Sequence, residues 1–81
     1  MRGFKDLSKS RKNLLKKEII SKAFSYHLEG NNIEAGKSYQ YFLDQGFKDL
    51  RVFSNYAILL KELSKLDEAL ELINQSIKIY P

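Results

Sequence analysis

The chain has no cysteine and no tryptophan, one proline, one histidine and four glycines in 81 residues. Without cysteine there is neither a disulfide framework nor a thiolate metal site, so stability has to come from packing. The same absence leaves His27, the only histidine, with no thiol nucleophile to activate. The glycines stand singly, so no glycine-rich phosphate loop exists. No apolar run approaches the ~18 residues that a membrane-spanning helix needs. The basic start, Met1-Arg2-Gly3, leads into no apolar stretch of signal-peptide length. Together these absences lead to the expectation of a soluble, cytoplasmic, non-catalytic protein without metal or cofactor.

What is present is enough for one thin core. Hydrophobic residues make up 43% of the chain, too many for a disordered segment. A domain of this size buries only ~60% of the surface of its unfolded chain. Charge is unevenly placed. Residues 1–17 carry seven basic side chains against Asp6 alone, whereas the remainder carries seven basic and nine acidic groups. The net charge of +4 therefore belongs to a basic N-terminal arm, residues 1–15, and the rest is mildly acidic.

From Glu18 onward apolar residues recur three and four apart, the helical spacing. Ile19, Ile20, Ala23, Phe24 and Leu28 form a first stripe that stops at Gly30. Asn31 and Asn32 offer a side-chain cap to a second helix bearing Ile33, Ala35, Tyr39, Phe42 and Leu43, which ends at Gly46. Asp49 caps a third helix with Leu50, Phe53, Tyr56, Ala57, Leu60 and Leu63. After a turn at Ser64-Lys65 a fourth carries Leu66, Ala69, Leu70, Ile73 and Ile77, with acids in its first turn. No segment alternates with a period of two, so the predicted class is all-α.

The four helices read as two copies of one unit. A shift of 34 residues lays Glu34-Ala35 on Glu68-Ala69, Ala23 on Ala57, Ile19 on Phe53 and Phe24 on Ile58. It also lays Tyr26 on Leu60, Tyr39 on Ile73, Leu43 on Ile77 and Gly30 on Ser64. Small residues meet small ones and large meet large. In the second copy Phe53, Tyr56-Ala57, Leu60, Ala69, Ile73 and Pro81 stand in the order of the tetratricopeptide repeat, and the chain resembles that family over residues 16–81. In the first copy Ala23, Tyr26, Gly30, Ala35 and Tyr39 follow the same order, with Ile19 in the leading aromatic place. Lys22, Phe42, Ser76 and Phe47 depart from the pattern. The stretch from Tyr41-Phe42 through Gly46-Phe47-Lys48-Asp49 to Tyr56 resembles modules that stand ahead of an enzyme domain. These 81 residues hold repeat sequence alone, which fits both a short relative and a piece of such an arrangement.

The resemblance implies two helix pairs, an α-solenoid fragment with repeats at 16–49 and 50–81. Its first helices would line a concave groove that binds a peptide or another protein. The groove candidates are Lys17, Ile20 and Phe24 from the first repeat, and Arg51, Asn55 and Ile58 from the second. The family's clamp for a C-terminal carboxylate is not expected, because Ile20 and Phe24 take places it fills with lysine and asparagine. The alternative is a small nucleic-acid-binding protein led by the basic arm, since clustered Lys and Arg neutralise phosphates. Phe4 is the arm's only aromatic, so nucleic acid is the less favoured partner. The bland reading of the arm is a solvated, frayed lead-in. His27 reads as a structural residue near a helix end, and Asp67, Glu68 and Glu71 as dipole-matched acids without a metal partner. Leu70, Ile73 and Ile77 form one stripe on the last helix, which leads to the expectation of a homodimer through it.

Overall fold

The computed structural model describes residues 4–81, with side chains from residue 9 onward. Met1, Arg2 and Gly3, and the side chains of Phe4, Lys5, Asp6, Leu7 and Ser8, all assigned to the basic arm, lie outside the described residues. Four helices follow in order: α1 (Phe4–Leu28), α2 (Asn32–Asp44), α3 (Leu50–Glu62) and α4 (Leu66–Ile79). The described residues contain no strand, and no helix among them is long and apolar enough to cross a membrane.

From Phe4 onward the arm is helical. Helix α1 runs unbroken from Phe4, because neither proline nor glycine interrupts residues 4–28 and leucine, lysine and arginine are good helix formers. The radius of gyration is 14.1 Å, where a compact chain of this length would have about 12 Å.

Glycine ends two helices as the sequence requires. Gly30 and Gly46 take φ of 79° and 84°, the left-handed region that favours glycine. The turn after α1 recurs one unit later. The N–H of Asn31 donates to the Tyr26 carbonyl at 2.8 Å, and that of Lys65 to Leu60 at 2.7 Å. Gly30 likewise donates to His27 at 3.1 Å, and Ser64 to Lys61 at 2.9 Å. Ser64 adopts φ 62° to do so, the only positive φ outside glycine among the described residues. The 34-residue shift also carries the end of α1, Leu28, onto the end of α3, Glu62, and the start of α2 onto the start of α4.

One cap differs from expectation. Asp49 accepts the N–H of Arg51 at 2.9 Å and caps α3. Asn31, by contrast, makes no side-chain cap. Its backbone (φ −82°, ψ 72°) is committed to closing the preceding turn and is not in the extended conformation that aims a cap inward.

Helices α1 and α2 pack as one hairpin and α3 and α4 as another, with α3 laid on α2 between them. The first core joins Ile19, Ile20 and Ala23 to Ala35, Tyr39 and Phe42 and to Val52 and Leu59 of α3. The second joins Phe53, Ala57 and Leu60 to Ala69 and Leu72. Each hairpin thus closes on its own pair of buried alanines, which let the helices approach closely. Phe47, in the connection between α2 and α3, rests on buried Phe42 with ring centres 5.4 Å apart. Val52, Leu59 and Leu72 are core residues that a single stripe per helix misses. Because α3 has a neighbour on two sides, it buries two stripes. Leu28, Ile33, Leu50 and Leu63, assigned to those stripes, are exposed instead.

Candidate functional site

Between α1 and α3 lies a concavity of about 520 Å³. His27 and Leu28 follow Phe24 by three and four residues on α1, Ile58 follows Asn55 by three and Glu62 follows Ile58 by four on α3, and Tyr39 forms the floor from α2. The helical repeat brings each set to one face, and the α3–α2 contact turns the two faces toward each other.

Three side chains tie the floor together. His27 Nδ1 lies 2.8 Å from the Tyr39 hydroxyl, and its Nε2 lies 3.5 Å from Glu62 Oε1. The imidazole also meets the Tyr39 ring edge-on at 5.8 Å. One link from each of three helices thereby spans the junction of the hairpins. Burial pushes the Tyr39 hydroxyl up to about 12, helped by the negative charge of Glu62. Tyr39 is therefore a neutral hydroxyl, stacked on Tyr56 at 5.4 Å, and Tyr56 in turn donates to Gln40 Oε1 at 3.0 Å.

At the edge of the site the Arg51 guanidinium lies 5.8 Å from the Phe24 ring centre. It also forks onto Asp49, donating through Nε at 3.0 Å and Nη2 at 2.9 Å. Those hydrogen bonds hold the Asp49 carboxyl below the usual carboxylate range. Arg51 is thus partly neutralised by its own helix cap.

The candidates from the sequence separate into groups. Phe24, Asn55 and Ile58 line the concavity, Ile58 being 49% exposed. Arg51 borders it. Ile20 does not face a groove: it is only 7% exposed and belongs to the first core, because α2 and α3 cover its side of α1. Lys17 lines a different concavity, of about 980 Å³, among Glu18, Lys22, Ser25 and Tyr41. Leu70, Ile73 and Ile77 are exposed on α4. His27 and Tyr39 were missed as site residues. The signal was present for His27, three positions after Phe24 on the same helical face. Tyr39 reads as pure core until the depth of the concavity is known.

Among the described residues no three His, Asp or Glu side chains gather closely enough to hold a metal ion. No family model matches the chain, and neither the curated proteins nor the solved structures hold a match to it.

Proposed function

We propose that the chain is a non-catalytic protein-binding module of tetratricopeptide type, which receives an extended segment of a partner between α1 and α3. The two-repeat reading is supported by the turn hydrogen bonds, helix ends and buried alanine pairs that recur at 34 residues. The observation that carries the binding reading is the concavity itself. Exposed apolar surface of Ile58 and half-buried Phe24 stands beside the Asn55 amide. An apolar side chain of the partner fits between Phe24 and Ile58, while Asn55 can donate to and accept from an extended backbone. Glu62 and Arg51 at the margins select charge on the flanking residues.

Selection from a random-peptide display library against the intact chain tests this. Peptides recovered should lose at least about tenfold in affinity on Arg51→Ala, Asn55→Ala and Ile58→Ala together, with helicity unchanged. Phe24 stays in place because it packs on Tyr39. Undiminished binding by the triple variant moves the site elsewhere.

A second reading rests on the N-terminal part of α1, where Lys9, Arg11, Lys12 and Lys17 are exposed on continuous helix. Oligonucleotide binding that falls steeply between about 50 and 200 mM salt would assign the function to this segment.

A further inference from the structure

The fold contains one hairpin-to-hairpin junction, and it serves as a template for a surface that is left open. In that junction α3 lies antiparallel on α2. Leu59 reaches Gly36 near the start of α2, with its Cδ2 3.7 Å from where a Cβ of Gly36 would stand, and Tyr56 bonds to Gln40 one turn on. The covered face of α2 is therefore Gly36, Tyr39, Gln40 and Leu43. The 34-residue shift carries these positions to Leu70, Ile73, Asn74 and Ile77 of α4. Among the described residues nothing covers that face: Leu70, Ile73 and Ile77 are 59%, 42% and 58% exposed, and Leu66 beside them 58%.

The covering face of α3 has a spacing of its own. Val52, Tyr56 and Leu59 stand four and then three residues apart, and Val52 and Leu59 are fully buried by that contact. Leu66, Leu70 and Ile73 of α4 repeat this spacing. The α4 surface is thus at once the counterpart of the face that is covered and a copy of the pattern that covers.

We propose that α4 is self-complementary and pairs antiparallel with α4 of a second copy about a two-fold axis. Transferring the α2–α3 register sets Leu70 against Ile73 of the second copy and Leu66 against Ile77. Each contact is then made twice, as a two-fold requires. The ends are matched in charge. Asp67 and Glu68 lie in the first turn of α4 and Lys78 in the last, so the antiparallel register puts Lys78 of one copy within a turn of Asp67 of the other.

Head-to-tail stacking of identical chains is disfavoured by the other end of the molecule. Shifted back by 34, the covering residues Val52, Tyr56 and Leu59 become Glu18, Lys22 and Ser25, all exposed. Docking that face on a preceding α4 would bury the charges of Glu18 and Lys22. Assembly through α4 therefore closes at two copies.

This face is distinct from the concavity between α1 and α3, so its test is independent of peptide binding. Sedimentation equilibrium of the intact chain, from micromolar to several hundred micromolar, should show a monomer–dimer equilibrium. Leu70→Glu and Ile73→Glu should each weaken the dimer by roughly a hundredfold without loss of helicity, since both side chains are exposed in the monomer. A monomer throughout, growth beyond the dimer, or a dimer indifferent to both substitutions overturns the proposal. The register has a separate readout, because the chain has no cysteine of its own. Mixed Leu66→Cys and Ile77→Cys chains should cross-link to each other in preference to themselves. Preferential self-linking overturns the antiparallel register.

Discussion

The outer faces of α2 and α4 stand at equivalent places in two hairpins with the same turn, the same buried alanine pair and the same helix ends. On α2 the face holds Tyr39, fully buried beneath α3 and joined to His27 and Tyr56. On α4 the equivalent Ile73 meets solvent. The side chains differ less than their surroundings do. Burial in a repeat is a property of the junction between units, and an apolar stripe becomes core only where a neighbour arrives. The same logic separates Ala69 and Leu72, which face α3 and are buried, from Leu70, which lies between them in sequence and faces outward.

The sharpest test of the contrast is truncation on either side of it. Leu59→Ala should cost about 2–5 kcal/mol, since it leaves a cavity under α2 in a fully buried position. Ile73→Ala, measured at concentrations low enough to keep the chain monomeric, should stay within about 1 kcal/mol because little of its surface is lost from a packed site. Chemical denaturation of both variants checks this, and equal losses would break the comparison.

Alkaline pH probes the covered face alone. Tyr39 titrates at about 12 in the fold against an ordinary value of 10.0, so the native state holds its proton where the unfolded chain has released it. Its contribution is complete below pH 10 and is lost as pH rises toward 12. At ~1.4 kcal/mol per unit this amounts to about 2–3 kcal/mol. Tyr39→Phe should be less stable than the parent by about 1 kcal/mol at neutral pH, for want of the hydroxyl's bond to His27. The gap should close or reverse by pH 12. Unfolding midpoints at pH 8, 10 and 12 measure it, and parallel pH curves for the two proteins would contradict the assignment.

The smallest expected effect concerns the two turns. Ser64 holds a left-handed backbone that Gly30 occupies without steric cost. Ser64→Gly should stabilise the chain by roughly 1 kcal/mol, and Gly30→Ala should destabilise it by a similar amount. Opposite shifts in melting temperature are the readout. If both changes lower it, the turns are not equivalent.

Much of this was legible in the residues. The apolar spacing fixes the helical class, Gly30 and Gly46 mark helix ends through their left-handed backbone, and Asp49 marks a start through its side-chain cap. The paired alanines mark positions buried within each hairpin. Less of the site could be read. The family resemblance put Phe24, Asn55 and Ile58 in the groove, but it put Ile20 there too, and Ile20 is core. Helical periodicity states which residues share a face, not which face a second helix covers. The link from Tyr39 through His27 to Glu62 spans 35 residues and draws on three helices, so no local pattern encodes it.

The sequence by itself determined the all-α class, the ends of α1 and α2, the start of α3 and the 34-residue recurrence, because these follow from interactions within a few residues of one another: backbone turns, caps and the 3.6-residue period. Only the tertiary structure decided that α3 would bury two stripes, that Tyr39 would hold its proton, and that Ile20 would be core while Ile73 was not. Those properties depend on where a neighbouring helix excludes water, and that exclusion is set by contacts between segments far apart in the chain.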